Sequence, residues 1–567
     1  MNDNRNLILA VLLSALVLIA WSFLQESFLP SNPPPKVENG QVKPREDVQA
    51  SPVPTTPAAM RDRAQVLAET PRVQIRTPSL QGSINLRGAR VDDLVLVRER
   101  QTMDRNSPPV RLLSPAGARG AYFATFGWAG EGIEAPPADA EWTASAPVVS
   151  PGAPVTLSWS SAQGVRFELI VSVDEEYLFT VRQRVANPTS GAIAVRPYAL
   201  ISRAERSPDP DWWTVHVGPI GYLGGAANYN IDWSTLEEGP GERLDSRGGW
   251  LGFTDKYWLT ALAPAGNAAI SASFRKAPAG AFQADYLGEA TIVPAGQAIA
   301  TETHLFAGAK EFELLKSYEA AGIPELSRAI DWGWFRWFMI AIYDVLVFLF
   351  NHIGNFGVAI IGLTLLVRLL LFPIAQKQFQ SFAAMRKVQP KMKALQERYK
   401  EDKPKLQQEM LKLYQQEKIN PAAGCLPILL QIPIFYALYK VLLVSVEMRH
   451  QPFMLWIKDL SAPDPLTPIN LFGLLPFTPP GFLLIGILPI LLGFTMWLQF
   501  KLNPAPMDPV QQQIFSIMPW VMVVIMAPFA AGLQLYWVVS NILTIGQQWL
   551  LYRRYGLHFS DTHPATT

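Results

Sequence analysis

Arg368 is the residue whose chemistry most needs an explanation, because it interrupts a stretch, residues 356–373, that is otherwise apolar and long enough to cross a bilayer. Placing an arginine at the centre of a membrane helix costs about 2.5–3.5 kcal/mol, and such residues usually face a partner or a water-filled cavity. No aspartate or glutamate occurs in the other apolar segments, residues 424–446, 482–500 and 514–552. Water, neutral polar groups or a substrate must therefore satisfy this guanidinium.

Neutral polar residues lie at helical spacing in the same apolar segments. Thr364 precedes Arg368 by four residues, and in the last segment intervals of seven, three and four residues separate Gln534, Asn541, Thr544 and Gln548. Each set lies along one stripe of its helix. Gln431 stands two residues before Pro433, and the prolines at positions 373 and 433 each free a backbone carbonyl that then needs a polar partner or water. If these faces converge, they form a polar pocket in which Arg368 is the one full charge.

The alternative is that Arg368 extends to the cytoplasmic surface and that the polar stripes make ordinary hydrogen bonds between helices. Arg368 precedes Lys377 by nine residues, which is about 13 Å of helix and places the arginine in the inner half of the bilayer. The coincidence of an unpaired cation, several amide side chains and two freed carbonyls favours the pocket.

The composition indicates a polytopic membrane protein joined to a sizeable soluble part. The chain has 567 residues, of which 49% are hydrophobic, and a mean hydropathy of +0.13. The formal net charge of +1 says little by itself, and the single cysteine, Cys425, excludes an intramolecular disulfide. The six histidines are scattered, so neither spacing nor motif marks a catalytic or metal centre. We expect no metal and no cofactor.

The N-terminal segment predicts a membrane anchor followed by a linker. Residues 7–24 form an apolar run without a convincing small-residue cleavage site, which favours an uncleaved anchor over residues 1–24 rather than a secretory signal. Residues 25–70 have the proline-rich, charged composition of an extended linker.

Residues 71–321 predict a large β-sandwich. Short strand-like runs alternate with turns, as in the hairpin predicted at residues 165–173 and 178–185. Further runs extend the pattern over more than two hundred residues. Residues 310–321 then predict a helix.

The distribution of charge predicts the topology. Residues 377–420 contain eleven basic and five acidic residues, so this segment should be cytoplasmic by the positive-inside rule. Residues 322–352 include crowded tryptophans and an apolar run that carries Asp344 and is too short to span comfortably, which predicts an amphipathic helix at the membrane interface. With the N-terminus inside and the β-domain outside, about six spans result. The remaining predicted segments are a second span at 353–375, a cytoplasmic helical hairpin at 376–422, a third span at 423–446, a periplasmic loop at 447–481, a fourth span at 482–500, a cytoplasmic loop at 501–512, two spans at 513–552 and a short cytoplasmic tail at 553–567.

The basic segment itself predicts two helices. Met392, Leu395 and Tyr399 share one helical face, and residues 406, 410, 413 and 417 share another. Pro404 can occupy the first turn of the second helix, where its missing N–H is no loss. We therefore expect an antiparallel hairpin that projects into the cytoplasm, the alternative being a charged solvated loop. The bases expected to recruit partners are Arg386, Lys387, Lys391, Lys393 and Arg398.

At these residues the chain resembles the YidC-type insertases, a family that includes the mitochondrial Oxa and chloroplast Alb proteins. The matching motifs are TLLVR at residues 364–368 with a proline at 373, MRKVQP at 385–390, NPAAGCLP at 420–427 with QIPIFYALY at 431–439, and AGLQLYWVVSN at 531–541 with a threonine at 544 and glutamines at 547 and 548. These motifs are long, ordered and jointly specific, and they cover about residues 332–555. The anchor and the large β-domain match the Gram-negative form, whose external domain is a β-supersandwich in the periplasm.

The resemblance implies a polytopic α-helical protein of the bacterial inner membrane that inserts newly made membrane proteins and helps them fold, alone or with the Sec translocon. It also implies a hydrophilic groove in the inner leaflet, open to cytoplasm and lipid but closed outside. The residues expected to line this groove are Arg368, Thr364, Gln431, Gln534, Trp537, Asn541 and Thr544. The implied partners are nascent inner-membrane proteins, the Sec translocon, ribosomes or targeting factors at the cytoplasmic loops, and the lipid bilayer, with no specific nucleic-acid sequence.

Two features depart from the family pattern. Residues 555–567 are few and nearly uncharged where some members carry a long basic tail, which argues against ribosome contact through the tail. The proline-rich segment at residues 462–481 is longer than the family pattern leads us to expect.

Two rival functions are compatible with parts of the sequence. A small-molecule transporter would also place a charge within membrane helices, although no internal repeat is evident. An enzyme in the β-domain would need convergent acid and base groups, which no motif marks.

Overall fold

The computed structural model describes residues 61–554 except residues 105, 131–132, 210–214, 418–425, 473, 476, 478–484 and 503–508. The predicted anchor at residues 1–24, the linker up to residue 60, and the tail from residue 555 lie outside the described residues.

The N-terminal part is built from two large, mostly antiparallel sheets. Their strands are β1 (Arg72–Arg76), β2 (Leu80–Asn85), β3 (Arg90–Arg100), β4 (Pro109–Leu113), β5 (Tyr122–Ala129), β6 (Thr143–Ala144), β7 (Val148–Val149), β8 (Val155–Ser160), β9 (Arg166–Val173), β10 (Leu178–Ala186), β11 (Ile193–Arg203), β12 (Gly218–Leu223), β13 (Ala226–Asn228), β14 (Glu242–Arg247), β15 (Trp250–Thr254), β16 (Trp258–Pro264), β17 (Ala269–Lys276), β18 (Phe282–Gly288), β19 (Thr291–Val293) and β20 (Ala298–Ala309). The first sheet has the order β14-β17-β18-β11-β5-β3-β2-β1-β7, with β4 paired to β3 and β19 to β11. The second has the order β13-β12-β15-β16-β20-β10-β9-β8-β6.

The core of this domain follows from the alternation of side chains along each strand. In β10 the side chains of Phe179, Val181 and Val185 are completely buried, whereas the residues between them are less so. The predicted hairpin is confirmed, because β9 and β10 pair antiparallel with Phe179 opposite Val173. The expected β-sandwich is therefore present.

The short helices of this domain are α1 (Arg63–Ala68), α2 (Trp233–Glu238) and α3 (Phe312–Ala320). α1 falls within the residues that the sequence predicted as linker. The Asp62 carboxylate caps it by accepting from the N–H of Ala64, and Arg63 forms an ion pair with Asp93 on β3. The ordered domain therefore begins before residue 71.

The C-terminal part is helical. Its helices are α4 (Arg336–Ile353), α5 (Phe356–Leu370), α6 (Phe372–Arg398), α7 (Lys403–Gln416), α8 (Leu426–Val444), α9 (Ile487–Leu502), α10 (Pro509–Met526) and α11 (Ala531–Arg554). α6 and α7 form the predicted helical pair, with Val388, Met392 and Leu413 buried between them. The Lys391 side chain on α6 reaches Glu417 just beyond the end of α7, as an antiparallel hairpin requires.

The segment predicted as a single span at residues 353–375 is bent in the structure. α5 and the first part of α6, Phe372–Gln380, meet at an angle of 54°. Pro373 lies in the first turn of α6, where its missing N–H breaks the hydrogen-bond ladder between the two helices. α6 then continues without interruption into the hairpin.

α4 is longer than the sequence suggested. The run that carries Asp344 was expected to be too short for a span, but α4 has 18 residues and the hydropathy of a membrane-crossing helix. Among the described residues it is the one helix that is by itself long and apolar enough to cross a membrane. α5 is long enough only when the start of α6 is added to it. α9 and parts of α8 and α10 are shorter apolar helices.

One continuous apolar core joins the β-domain to the helices. At the junction the rings of Phe312, Trp332 and Tyr343 pack edge to face, with centroids 5.2–5.5 Å apart. The Glu447 carboxylate, just after α8, accepts hydrogen bonds from the N–H of Phe312 (3.1 Å) and the hydroxyl of Tyr343 (2.8 Å). Burial raises the pKa of this carboxyl. The junction is therefore a packed joint rather than a loose tether.

Candidate functional site

α5 presents one polar edge in an otherwise apolar helix. Thr364 lies on its buried face, and its hydroxyl donates to the Ile360 carbonyl one turn earlier at 2.6 Å. Arg368 follows one turn later and is partly exposed. Thr364 therefore packs beneath the arginine. Its hydroxyl donates within α5, so it is not a donor to a ligand in this arrangement.

Neutral groups satisfy the Arg368 guanidinium. Its Nη2 donates to the Ser540 hydroxyl on α11. The backbone carbonyl of Arg368 accepts from the Gln547 side-chain amide at 3.4 Å. Within the described parts of the chain no carboxylate lies at ion-pair distance from this arginine. The charge therefore has no fixed anion beside it there, as the sequence predicted.

Neighbouring polar side chains connect Arg368 to α8. The side-chain amide of Gln431 donates to the Tyr536 hydroxyl at 2.6 Å. The Tyr536 side chain also interacts with that of Ser540, four residues further along α11. Gln431, Tyr536, Ser540 and Arg368 thus form a continuous set, which we call the polar network, across α8, α11 and α5.

The middle of the polar network is buried and its two ends are accessible. Tyr536 and Ser540 are each 2% exposed, whereas Arg368 and Gln431 are partly exposed. Beside it, the half-buried ring of Trp537 contacts Phe435 of α8, with centroids 4.8 Å apart. The buried hydroxyl groups of Tyr536 and Ser540 thus position Arg368 and Gln431 at a partly exposed surface.

Apolar side chains surround the exposed part of Arg368. Exposed leucines occupy the outer face of the same helix end: Leu365, Leu366, Leu369 and Leu370. Ile432 is likewise exposed next to Gln431. The polar network therefore borders a surface of the kind that faces lipid.

Thr544 lies one turn beyond Ser540, and its hydroxyl donates to the Ser540 carbonyl at 2.7 Å. It is partly exposed on the same stripe of α11 as Tyr536 and Ser540. Its position is therefore adjacent to the polar network.

Gln534 and Asn541 lie elsewhere. Gln534 is completely buried and closes the turn between α10 and α11 by donating to the carbonyls of Met526 and Phe529, both at 2.8 Å. Asn541 donates to the Thr495 hydroxyl of α9 at 3.1 Å. Both side chains thus stabilise helix packing away from Arg368, and their predicted place in the groove gains no support from these contacts.

Tyr536, Ser540 and Gln547 were not among the predicted site residues. All three lie within the α11 motif, and the spacing of four that relates Tyr536 and Ser540 to Thr544 would have indicated the first two. The sequence prediction followed the stripe of Gln534 and Asn541, which shares Thr544 with this one. Periodicity distinguishes the faces of a helix but does not reveal which neighbour each face meets.

The bases of the hairpin are only partly available for binding. Lys391 is exposed and forms a 2.6 Å ion pair with Glu417, and Lys412 forms one with Glu409 at 2.7 Å. Arg398 is exposed beside the ring of Tyr399. The side chains of three further predicted bases lie outside the described residues: Arg386, Lys387 and Lys393.

The described residues contain no group of three or more His, Cys, Asp or Glu side chains arranged to hold a metal ion. The geometry is that of a binding surface: a cation and amides beside exposed apolar side chains.

Comparison with known proteins identifies the class. Residues 348–557 match the family described as 60Kd inner membrane protein, and residues 72–345 match the YidC periplasmic domain. The chain is therefore an inner-membrane protein with a periplasmic domain, and the predicted fold class, a helical membrane part with an all-β external domain, is confirmed.

The relatives specify the family. The membrane protein insertase YidC of Zymomonas mobilis is 47% identical over 97% of this chain and 96% of its own length. That of Methylobacterium radiotolerans is 42% identical over 98% of this chain and 96% of its own length. A crystal structure described as an active YidC insertase with its first transmembrane domain resolved is 18% identical, covers 86% of this chain and 93% of its own, and has a TM-score of 0.37. The chain belongs to the YidC family of membrane protein insertases, which is not an enzyme family.

Proposed function

We propose that this protein inserts newly made membrane proteins into the inner membrane and that the polar network is where the polar part of a substrate is received. The observation that carries this proposal is the state of Arg368. Its guanidinium contacts a serine hydroxyl and, among the described residues, no carboxylate. A cation with a neutral partner can attract an anionic ligand without first breaking an ion pair.

The physical problem of insertion is the transfer of a polar tail through hydrocarbon. Each polar group moved into an apolar medium without a hydrogen-bond partner costs several kcal/mol. Gln431 and Arg368 offer donors at the accessible ends of the polar network, and water at this surface would shorten the apolar path. The exposed leucines beside Arg368 then give the apolar helix of the substrate a route into lipid.

Charge provides direction. An acidic tail would pause at Arg368 and then move outward under the membrane potential, which contributes about 2.3 kcal/mol per charge per 100 mV. The tail leaves Arg368 and the apolar segment leaves sideways into the bilayer. We propose no chemical step and no cofactor, because no bond is made or broken.

We propose about six spans, with the hairpin of α6 and α7 in the cytoplasm and the β-domain in the periplasm. The hairpin and the β-domain lie on opposite sides of the membrane only if a single span separates them. α4 must therefore lie along the membrane surface, although its length would permit a crossing. The strongly exposed Trp334 and Trp337 at the start of α4 favour the interface, where an indole ring is half hydrated. α5, with its bend into α6, is then the single span between the two domains.

We propose nascent inner-membrane proteins as substrates, with ribosomes or targeting factors meeting the hairpin and the Sec translocon as an additional partner. The exposed Lys391 and Arg398 support an electrostatic contact at the hairpin. Residues 555–567 contain one acidic residue and no lysine or arginine, so they add no basic surface to this contact.

Site-specific crosslinking tests substrate position and activity together. A photoreactive residue at Gln431 should crosslink to a stalled nascent membrane protein, and residues at the buried positions Thr364 and Asn541 should do so more weakly. A matched control is Phe494, which is exposed on α9 away from these contacts. Crosslinks of equal yield from Phe494 and Gln431 would contradict a defined route past the polar network. Solute uptake by liposomes that requires Arg368 would favour a transporter instead.

A further inference from the structure

The loop between α8 and α9, residues 445–486, is fixed at its base to the ends of three helices. The Phe453 carbonyl accepts from the side-chain amide of Asn355 at the start of α5 (2.9 Å). The carbonyls of Leu460 and Ala462 accept from the first N–H groups of α11 at 2.9 and 2.7 Å. Asp464 accepts from the N–H of Leu488 in α9 at 2.8 Å. These contacts hold the base of the loop at the boundary of the helical region.

The tip of this loop is apolar and exposed. No charged residue occurs between Asp464 and Lys501. Leu474 is 81% exposed and Leu471 is 52% exposed. The other exposed apolar residues of the tip are Ile469, Phe472, Leu475 and Phe477. Six large apolar side chains in one short segment exceed the scattered exposure that is normal for a protein in water.

The backbone of the tip is held in an unusual conformation. Leu471 and Phe472 have φ angles of +51° and +60°, in the left-handed region that bulky side chains rarely adopt. Backbone hydrogen bonds fix this turn, from the N–H of Phe472 to the Thr467 carbonyl (2.9 Å) and from that of Leu475 to the Asn470 carbonyl (3.0 Å). An ordered turn, rather than a loose chain, therefore directs these side chains outward. Strain of this kind is concentrated at functional sites.

We infer that the tip of the α8–α9 loop enters the outer leaflet of the bilayer and binds lipid as an apolar anchor. Leu471 follows Asp464 by seven positions, so it lies within about 25 Å of Asp464 and of the start of α9 that Asp464 contacts. The inference rests on the proposed topology, in which this side of the helices faces the periplasm. In the described part of the turn, backbone hydrogen bonds use the N–H groups of Leu471, Phe472, Leu474, Leu475 and Phe477, which lowers the cost of placing them in an apolar medium.

Two observations favour lipid over a protein partner. The tip offers no charge for pairing with another chain, whereas most protein interfaces have a polar rim. It is also continuous in sequence with α9, where Ile490, Leu491 and Phe494 are exposed and apolar. The same medium that covers this face of α9 would cover the tip.

A fluorescent probe measures the environment of the tip in the full chain. Cys425→Ser removes the one native thiol, and Leu474→Cys then carries an environment-sensitive fluorophore in proteoliposomes of phosphatidylethanolamine and phosphatidylglycerol. The exposed residue Phe477 gives a second probe position, and Met103, which is equally apolar and 51% exposed on the β-domain, gives the matched control.

We expect blue-shifted emission at positions 474 and 477, a large loss of fluorescence with lipids that carry a nitroxide near the headgroup, and protection from aqueous iodide. The probe at position 103 should show the reverse. Iodide quenching at 474 equal to that at 103 would overturn the inference. So would protection from iodide without quenching by lipid, which would indicate a second copy of the chain. Insertion activity is measured in the same proteoliposomes, so an active protein with an aqueous tip overturns the anchor while leaving the proposed function intact.

Discussion

At the scale of single residues, Arg368 is notable for the kind of partner it has. A buried ion pair would fix the arginine to a carboxylate of the protein itself, and an incoming acidic group would have to compete with that carboxylate. Ser540 instead accepts one hydrogen bond and leaves the charge uncompensated among the described residues. The guanidinium is thereby positioned without being neutralised.

Replacing Arg368 by alanine or glutamate should impair substrates with acidic tails most. Loss of a hydrogen bond to a charged group costs about 1.5–3 kcal/mol, which corresponds to at least a roughly tenfold fall in insertion rate. Neutral-tailed substrates should be affected less. Arg368→Lys should be milder, because it keeps the charge but loses the planar donor fork. Insertion into inverted membrane vesicles measures both substrate classes, and Arg553→Ala at the end of α11 is the control; an equal loss for both classes would count against the proposal.

Tyr536→Phe removes one hydroxyl from the middle of the polar network. We expect a loss of about 0.5–1.5 kcal/mol in the free energy of unfolding and slower insertion, because Gln431 loses its acceptor. Tyr552→Phe is a matched control on the same helix, since its buried hydroxyl donates to the Leu502 carbonyl at 2.9 Å, away from Arg368. It should cost similar stability without slowing insertion. Equal effects of the two substitutions on insertion would indicate that the polar network contributes to helix packing and not to insertion.

The sequence was sufficient to predict Arg368 as an unusual cation and Gln431 as polar, because charge and polarity in an apolar run are visible without a structure. It was insufficient for Tyr536 and Ser540. Tyrosine and serine are common in membrane helices, and their role depends on the neighbouring helix. Gln534 shows that an amide on a polar stripe can serve a turn as readily as a groove, and its place in the groove stays a prediction.

At the scale of elements, the entry of α5 into the helical region depends on a close contact. A Cβ built on Gly357 would lie 2.0 Å from the ring of Phe453 in the α8–α9 loop. A glycine is therefore required where the loop crosses the helix.

Gly357→Ala should destabilise the protein by about 1–3 kcal/mol, because the ring must move. Gly362→Ala on the same helix is the control, since its added Cβ would lie 3.4 Å from Leu349 in ordinary contact and would improve helix propensity. Thermal unfolding in detergent measures both, and Phe453→Leu should partly restore Gly357→Ala. Equal melting temperatures for the two alanine variants would contradict the contact.

Shortening the hairpin over residues 385–418 should slow delivery of substrates, because its exposed bases attract the acidic surfaces of ribosomes or targeting factors. Replacing the segment by an uncharged helical hairpin of equal length separates charge from length. The rate of insertion during translation measures delivery, while crosslinking from Gln431 reports whether the polar network is intact. Unchanged kinetics in both variants would refute a recruiting role.

The helical pair of the hairpin could be predicted, because the apolar faces of α6 and α7 have a clear period. The bend at Leu371 could not. Pro373 was correctly identified as removing a donor, but a proline can kink a helix or begin a new one, and the choice depends on the packing of α5. The sequence underestimates the length of α4, because Asp344 interrupts its apolar run, whereas an exposed carboxylate is tolerated on one face of an amphipathic helix.

At the scale of the whole molecule, the β-domain and the helices are held together by residues far apart in sequence. Arg449, just after α8, contacts Glu99 on β3 at 3.4 Å and lies over the rings of Tyr257 and Trp258. No local pattern predicts a contact across 350 residues. Two domains and their order can therefore be predicted from the sequence, but the joint between them cannot.

Glu447 makes the stability of this joint depend on pH. Because burial raises the pKa of its carboxyl, folding favours the protonated form; that contribution is fully present below the unfolded value of about 4.3 and is lost as pH rises through the folded pKa. Glu447→Gln keeps an oxygen acceptor and cannot ionise. Its melting temperature should therefore exceed that of the unaltered protein by a margin that grows with pH.

Glu447→Ala should instead cost about 1–3 kcal/mol at acid pH, because the N–H of Phe312 and the hydroxyl of Tyr343 lose their acceptor, and this cost should shrink as pH rises because the unaltered protein itself loses stability. Thermal unfolding of the full chain in detergent between acid and neutral pH measures both variants. A constant difference between Glu447→Gln and the unaltered protein across this range would contradict the buried, ionisable joint.

The most direct measurement of the central claim is the access of water to the polar network. In a Cys425→Ser background, single cysteines at Gln431 and Arg368 are treated with a membrane-impermeant maleimide from the cytoplasmic side, with buried Leu363 and lipid-exposed Leu366 as controls. We expect rapid labelling at positions 431 and 368 and little at 363 and 366. Failure of positions 431 and 368 to react, in a protein whose hairpin cysteines label normally, would show a dry, sealed neighbourhood and contradict a hydrated receiving site.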